Sequence, residues 1–139
     1  MTSQVVYKGN LRTEATHLQS GSLIETDAPT DNNGKGERFS PTDIVATALG
    51  GCMLTVMGIK AETMNIDLTG TRLDIQKTMA ANPRRISGIQ IAFHFPDSLQ
   101  LSQKEQTILE HAAHTCPIGK SLHPDIDVAV TFGWKEMVE

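Results

Sequence analysis

Two cysteines, Cys52 and Cys116, are the residues of this 139-residue chain best suited to covalent chemistry. Cys52 follows Gly50 and Gly51 inside a long apolar segment that is predicted to be helical. Each glycine costs a helix about 1 kcal/mol relative to Ala, a cost that is accepted where another backbone or a ligand must come close. Two interpretations therefore stand: the glycines clear space beside a reactive thiol, or they let two helices pack with Cys52 as a small core side chain.

Cys116 comes directly before Pro117, and a proline is favoured at the first position of a helix. Cys116 is therefore predicted to be the N-cap of a short helical turn, with its sulfur near free backbone N–H groups. Such donors are expected to lower the pKa of the thiol. The alternative is a loop cysteine packed under the start of the helix. Together, the two thiols favour cycling between a dithiol and a disulfide.

A metal site is the competing interpretation of the same region. His111 and His114 lie three positions apart on a predicted helix, and Cys116 and Cys52 could complete four ligands. This spacing matches no common zinc pattern, so we expect no metal. The sequence also contains no phosphate-binding loop, no dinucleotide fingerprint and no Gly-x-Ser-x-Gly motif. We therefore expect no organic cofactor.

The composition is that of one globular domain, expected to span residues 1–139. Hydrophobic residues make up 39% and charged residues 20%, which excludes wholesale disorder. The net charge of −4 and the 4% aromatic content disfavour nucleic acid as a partner. No run of 18 apolar residues and no signal-peptide pattern is present, so we expect no membrane partner and a cytoplasmic protein with reduced thiols.

The predicted elements begin with three short antiparallel strands within residues 1–28, followed by a loop over 28–39. Ser40, Pro41 and Asp43 then form a capping pattern for a helix that runs to about Met64. This helix is apolar on nearly every face, which predicts a buried central helix. Its length of roughly 36 Å suggests that a second subunit covers part of it.

The second half is predicted to begin with a hairpin over residues 66–79 and 84–95, turning at Asn82-Pro83. Ser102 and Glu105 form a capping box for a helix through about His114. After the short turn at Pro117, residues 126–132 alternate as a last strand. Because strands are grouped rather than alternating with helices, the fold class is α+β.

Two segments resemble the cysteine motifs of the OsmC/Ohr family, the osmotically inducible and organic hydroperoxide resistance proteins. Residues 39–53, FSPTDIVATALGGCM, are similar to the first motif, and residues 114–122, HTCPIGKSL, to the second. The resemblance extends along nearly the whole chain and places the sequence in the OsmC-like branch. It implies an intertwined homodimer with the OsmC-like fold, in which antiparallel sheets surround the central helix and two sites lie at the subunit interface.

The resemblance also implies a cytoplasmic thiol peroxidase of the oxidative stress response that acts on organic hydroperoxides. Cys52 matches the peroxidatic cysteine and Cys116 the resolving one. The hydroperoxide-resistance branch has a glutamate ten positions before the first cysteine, where this chain has Thr42. Its catalytic arginine comes from the N-terminal strands, where Arg12 lies, whereas proximity to the motif favours Arg38.

We therefore predict a two-cysteine peroxidase that is restored by an external dithiol. The Cys52 thiolate attacks the O–O bond and becomes a sulfenic acid, which Cys116 converts to a disulfide. Arg38 or Arg12 is expected to stabilise the thiolate and the leaving oxygen. Two alternatives remain: a protein without turnover that binds a small apolar ligand at the dimer interface, and a thiol redox sensor.

Overall fold

The structure is a computed structural model that describes residues 1–135, in two compact units. Unit 1 spans Met1–Val45, and unit 2 begins at Ala46 and contains the rest of the described chain. The division falls inside the first helix, α1, which runs over Pro41–Thr63. Unit 1 thus holds the first turn of α1, and unit 2 holds the remaining turns.

Unit 1 is built on a three-stranded antiparallel sheet in the order β1-β2-β3, as predicted. The strands are β1 (Ser3–Gly9), β2 (Arg12–His17) and β3 (Leu23–Asp27). The β1–β2 turn contains Gly9, Asn10 and Leu11, all at positive φ. A short 3-10 helix, Thr30–Asn32, lies in the following loop.

The first turn of α1 is capped as its sequence predicts. The Asp43 N–H donates to Ser40 Oγ at 3.1 Å, and the Ser40 N–H donates to an Asp43 carboxylate oxygen at 3.0 Å. These bonds satisfy free donors at the start of the helix, and Pro41 needs none. The expectation that Asp43 serves as a cap is therefore confirmed.

Unit 2 contains a second sheet in the order β4-β5-β6. Its strands are β4 (Arg72–Ala80), β5 (Arg85–His94) and β6 (Asp127–Gly133). β4 and β5 form the predicted antiparallel hairpin, whereas β5 and β6 are parallel. The expectation of purely antiparallel sheets is thus wrong here. A parallel partner needs a crossover connection, which is supplied by the helices α2 (Gln103–Ala113) and α3 (Pro117–Ser121).

The first hairpin strand starts later than the predicted residue 66. The chain between α1 and β4 forms turns, with Asn65 and Gly70 at positive φ. The Ile66 N–H donates to the Ala61 carbonyl, and the Thr71 N–H donates to the Leu68 carbonyl. These local bonds close the backbone on itself, so residues 66–71 cannot join a sheet ladder.

The core of unit 2 forms where one stripe of α1 packs with β5 and α2. The α1 stripe lies at helical spacing and consists of Ala46, Leu49, Met53, Met57 and Ala61. The core members from β5 and α2 include Ile89, Ile91, Phe93, Leu109 and Ala113. The α1 helix is therefore central, as expected. Within one chain, however, the buried residues of α1 are confined to this stripe and Gly50, and Ile59 on another face is 62% exposed.

Helix α1 is long and apolar enough to cross a membrane, and it is the one described helix that meets that test. This finding departs from the expectation that the sequence holds no such segment. Its Leu49, Met53 and Met57 side chains belong to the hydrophobic core of unit 2. A core helix passes the same test of length and composition. Because these side chains are buried in the core of unit 2, α1 is a core helix.

Candidate functional site

Cys52 is the twelfth residue of α1, at the start of its fourth turn, two residues after the buried Gly50. Its side chain is half-buried and free of any disulfide. The helix holds the backbone rigidly, because the core side chains Leu49 and Met53 on either side of it anchor that stretch in unit 2. The Cys52 sulfur is therefore a fixed group at the margin of the core.

Cys116 is the N-cap of α3, as its position before Pro117 predicts. The Gly119 N–H donates to Cys116 Sγ at 3.2 Å, so the sulfur takes the place of a capping oxygen. Cys116 is free and only 2% exposed. Its backbone bond from Lys120 N–H to the Cys116 carbonyl closes the same turn.

The two thiols meet inside unit 2, although 64 positions separate them in the chain. The Cys52 side chain is close enough to Cys116 to raise the pKa of its thiol. Both are reduced in this structure. Two neighbouring thiols can form a disulfide when one of them is oxidised, because the oxidised sulfur is attacked by its neighbour.

The pKa of the Cys116 thiol is raised, which corrects the expectation that its N-cap position lowers it. Burial is the largest cause, because a thiolate loses its hydration in the core. The neighbouring Cys52 raises the pKa further, while the Gly119 and Ile118 N–H groups oppose the rise. Burial thus favours the protonated form of the Cys116 thiol in the reduced protein.

The two glycines before Cys52 do different things. A Cβ on Gly50 would lie 2.5 Å from Ile75 Cδ1 and 3.2 Å from Leu73 Cδ2, so Gly50 makes room for β4. The interpretation that it clears space for a second helix or for a ligand is wrong. A Cβ on Gly51 would meet no atom within 4 Å. Only Gly51 therefore leaves open space next to Cys52.

Arg12 in unit 1 is held by a carboxylate across the sheet. Its Nε donates to Asp27 Oδ1 at 2.7 Å and its Nη2 to Asp27 Oδ2 at 2.8 Å, a bidentate pair. The Asp27 side chain is 3% exposed, and it also accepts the Glu37 N–H at 3.2 Å. Arg12 lowers the pKa of Asp27, and Asp27 raises that of Arg12. The guanidinium is thus fixed in orientation.

Arg38, the other predicted arginine, is held more loosely within unit 1. Its Nη1 donates to the Glu37 carbonyl at 3.0 Å, and its Nε lies 3.7 Å from Glu25 Oε2. Both side chains of that ion pair are more than 40% exposed, so solvent screens it. Thr42, at the position of the family's glutamate, has its hydroxyl 3.1 Å from Ser40 Oγ. That an arginine activates Cys52 stays a prediction.

Asp27 was missed by the sequence interpretation. Asp27 directly follows the predicted strand over residues 22–26, and only the strand register shows which residue it faces. In the structure Arg12 and Asp27 are direct partners across the β2–β3 pair. Opposite charges that face each other across two strands stabilise the sheet. A carboxylate from β3 therefore orients the arginine in this chain.

A cleft of about 390 Å³ lies against Cys116 in unit 2. Apolar side chains from α1, α2 and β6 form most of its walls, and polar groups come from His114 and Lys120. The described residues that line it are Leu49, Met53, Ala113, His114, Cys116, Gly119, Lys120, Val128 and Val130. The His114 ring also meets the Phe132 ring edge-on, with centroids 5.8 Å apart. The cleft is large enough for a small organic molecule.

A sequence model of the family described as OsmC-like protein matches residues 34–131. The match contains both cysteines and covers more than half of the chain. The chain belongs to the OsmC family. The match begins in unit 1 and extends through most of unit 2, so this OsmC-family protein carries the family pattern in both. The resemblance carried by residues 39–53 and 114–122 is thereby confirmed.

Solved structures share the fold of this OsmC-family protein over nearly its whole length. One, from Psychrobacter arcticus 273-4, is described as an osmotic stress induced and detoxification response protein. It is 53% identical, with 96% of each chain covered and a TM-score of 0.91. An organic hydroperoxide resistance protein OsmC from Legionella pneumophila is 18% identical, with 96% of this chain and 98% of that chain covered and a TM-score of 0.74.

The organic hydroperoxide resistance protein OhrB of Bacillus subtilis shows the same fold. It is 18% identical, with 96% of this chain and 98% of that chain covered and a TM-score of 0.66. None of the curated proteins matches the sequence of this OsmC-family protein. The α+β class and the OsmC/Ohr fold are therefore established for this chain.

The metal interpretation finds no support in the part of the chain that the structure describes. Over residues 1–135, no three His, Cys, Asp or Glu side chains are grouped so that they could hold a metal ion. His111, His114 and Cys116 follow one another in sequence, but Cys116 Sγ is directed to the Gly119 N–H and to Cys52. The chemistry that the site can support is that of two adjacent thiols.

The ion pair between the half-buried Arg12 and the buried Asp27 leads to a prediction about acid stability. Because folding lowers the pKa of Asp27, the stability it contributes is present above the ordinary aspartate pKa of about 3.9 and is lost as the pH falls through the lower folded value. Asp27→Asn is therefore expected to destabilise the protein at pH 5–7 and to approach the wild type below about pH 4. Urea unfolding across this range measures the difference.

The control for this prediction is Asp97→Asn. The Asp97 side chain is 94% exposed and lies 3.3 Å from the exposed Lys135, so its removal should change stability little at any pH. An Asp27→Asn deficit that stays constant from pH 7 to pH 3 would show that the ionised Asp27–Arg12 pair is not its cause.

Proposed function

We propose that this protein is a thiol peroxidase that reduces organic hydroperoxides through a sulfenic acid and disulfide cycle. The single observation that carries the proposal is that the half-buried Cys52 and the buried Cys116 are neighbours in unit 2, close enough for Cys52 to raise the pKa of Cys116. A sulfenic acid formed on Cys52 would have its resolving thiol in place. The family and its neighbours support the choice of oxidant, because two of the structures with this fold are named organic hydroperoxide resistance proteins.

The proposed roles of the cysteines follow from their exposure and charge. Cys52 is the more accessible sulfur, and Cys116 is held neutral by burial and by its neighbour. The Cys52 thiolate attacks the distal oxygen of the hydroperoxide, the O–O bond breaks, and an alcohol leaves after taking a proton. Cys116 then attacks the Cys52 sulfenic acid, giving a disulfide and water. An external dithiol takes up the oxidising equivalents and restores both thiols.

An arginine is proposed to stabilise the Cys52 thiolate and the departing oxygen. Arg12 and Arg38 both remain candidates. The contacts within unit 1 favour Arg12, because Asp27 holds its guanidinium by two bonds and is itself buried. A side chain fixed in this way loses little further conformational entropy when it binds a charge. Asp27 would then orient the arginine in a chain that has Thr42 where the hydroperoxide-resistance branch has a glutamate.

The functional unit is proposed to be a cytoplasmic homodimer. One face of the unit 1 sheet exposes Val5, Tyr7 and Ile24, each more than half accessible. On α1, a Cβ on Gly51 or Gly58 would meet no atom within 4 Å, although the helix is apolar there. Exposed apolar surface of this kind is typical of an interface, and a second copy of the chain would bury it.

The dimer leads to a prediction about mass. Sedimentation equilibrium at micromolar concentration is expected to give about twice the chain mass of 15.1 kDa. Ile59→Lys should shift the equilibrium toward the monomer, because it places a charge on the exposed apolar face of α1. Gln103→Lys, at an exposed position of α2, is the control. A wild type that sediments as a 15.1 kDa species would contradict the dimer.

The experiment that tests the activity measures peroxide consumption with cumene hydroperoxide and with hydrogen peroxide, using dithiothreitol as reductant. We expect repeated turnover and a faster reaction with cumene hydroperoxide. Oxidation of the two cysteines without turnover would instead favour a redox sensor. No oxidation by either peroxide would favour the alternative in which the protein binds a small apolar ligand.

A further inference from the structure

We propose that the cleft against Cys116 admits the thiol reductant, and that the reductant attacks the Cys116 sulfur rather than the Cys52 sulfur of the disulfide. This inference rests on the proposed function for the existence of the disulfide. It assigns separate approaches to the two substrates. The peroxide reacts at Cys52, and the reductant enters between α1, α2 and β6 and reacts at Cys116.

The lining of the cleft determines which sulfur it serves. The described residues that line it include Cys116 but not Cys52, although the two side chains are close enough to interact electrostatically. The cleft therefore approaches Cys116 from a side that Cys52 does not occupy. In thiol–disulfide exchange the incoming sulfur approaches the attacked sulfur opposite the leaving one. A thiol in this cleft is placed for attack on Cys116 with Cys52 as the leaving group.

The leaving-group chemistry favours the same direction. Exchange is faster when the departing thiol has the lower pKa, and burial together with the neighbouring Cys52 raises the pKa of Cys116. Cys116 is therefore the poorer leaving group and the better target. Departure of the Cys52 thiolate also returns the peroxidatic sulfur at once to its reactive state.

The walls indicate the chemical class of the reductant. Leu49, Met53 and Val130 give an apolar surface that suits an alkyl chain. Lys120 adds a positive charge at the cleft, which favours a thiol that carries a carboxylate over one that carries an ammonium group. The cleft thus fits a small alkyl dithiol, with an anionic substituent preferred.

The proposed step balances as an exchange. The reductant thiolate forms a bond to Cys116 Sγ, the S–S bond breaks, and its electron pair leaves on Cys52. The second thiol of the reductant then attacks the reductant's first sulfur, which is bound to Cys116 in the mixed disulfide. This releases reduced Cys116, which takes a proton, and the reductant departs as a cyclic disulfide. Two electrons pass from the reductant to the cysteine pair.

The test maps the mixed disulfide on the wild-type protein. The disulfide is prepared with diamide, so no peroxide activity is required, and is then mixed with the monothiol 3-mercaptopropionate and quenched in acid within milliseconds to seconds. Trypsin separates the sulfurs, because Cys52 falls in the peptide 39–60 and Cys116 in the peptide 105–120. We expect the adduct on the Cys116 peptide in about tenfold excess at the earliest times. An adduct found first on the Cys52 peptide would overturn the proposal.

Variants of the cleft give a second readout. Val128 lies in the cleft and is 39% exposed, whereas Thr131 is exposed on the same strand away from it. Val128→Phe should slow reduction of the preformed disulfide about tenfold, and Thr131→Phe, which starts from a side chain of the same shape, should not. Equal rates in the two variants would overturn the proposal.

Lys120→Met tests the charge in the cleft. It should reduce the ratio of the rates at which 3-mercaptopropionate and cysteamine reduce the disulfide. An unchanged ratio would show that Lys120 does not act on the incoming thiol. None of these measurements uses peroxide. They therefore identify the sulfur that the reductant attacks even if the protein has no peroxidase activity. Conversely, an active peroxidase that forms its mixed disulfide on Cys52 would overturn this inference alone.

Discussion

Cys52→Ser is expected to abolish peroxide reduction, because a serine hydroxyl cannot form the sulfenic acid on which the cycle depends. Consumption of cumene hydroperoxide should fall to the rate without protein. Cys116 should not substitute for the lost thiol, because it is only 2% exposed and burial raises its pKa. The measurement is the rate of peroxide loss with dithiothreitol as reductant.

Cys116→Ser is the matched control, since it removes the other thiol by the same change. This variant should still be oxidised once, leaving a sulfenic acid on Cys52 that mass spectrometry detects after trapping with a dimedone-type reagent. Turnover should be lost or slow, because no neighbouring thiol protects the oxidised sulfur. Equal peroxidase activity in the wild type and in Cys52→Ser would contradict the assigned chemistry.

Arg12→Ala is expected to slow the alkylation of Cys52 by iodoacetamide at neutral pH about tenfold. The reason is that a fixed guanidinium favours the reactive thiolate. Arg38→Ala should have a smaller effect, because Arg38 is held only by an exposed 3.7 Å ion pair and one carbonyl. The measurement follows the rate of carbamidomethylation of the tryptic peptide that carries Cys52 across a range of pH; this peptide is 39–60, or 36–60 in Arg38→Ala, which lacks the cleavage site at Arg38.

Two further variants separate charge from geometry at Arg12. Arg12→Lys keeps the charge but loses the bidentate pair with Asp27, and Asp27→Asn keeps the arginine but removes its ionic partner. The rate of Cys52 alkylation in both variants should lie between that of the wild type and that of Arg12→Ala. Arg72→Ala, which removes an exposed arginine that pairs with Asp74, should match the wild type. If Arg38→Ala slows alkylation more than Arg12→Ala does, the motif-based preference for Arg38 is correct.

The local features of this protein could be predicted because they depend on residues a few positions apart. The capping pattern of Ser40 and Asp43, the capping box of Ser102 and Glu105, and Cys116 as an N-cap before Pro117 all formed as expected. In each case a side chain reaches backbone groups within three residues. The β4–β5 hairpin also followed from alternating side chains around a turn signal.

The arrangement of the sheets depended on contacts that local patterns do not contain. The alternation of side chains in β6 predicts a half-buried strand but not its orientation in the sheet. The crossover through α2 and α3 makes β6 parallel to β5. Register is likewise a tertiary property. It brings Arg12 opposite Asp27 and so places a carboxylate where no sequence motif pointed to one.

What the sequence by itself determined was the identity of the two candidate cysteines and the family to which their motifs belong. The tertiary structure decided that Cys52 and Cys116 are neighbours, and it reversed the expected shift in the pKa of Cys116. The N-cap donors that lower this pKa are local and visible in the sequence. The burial that raises it depends on how α1, α2 and the sheet pack around the sulfur, and desolvation in that core outweighs two backbone N–H groups.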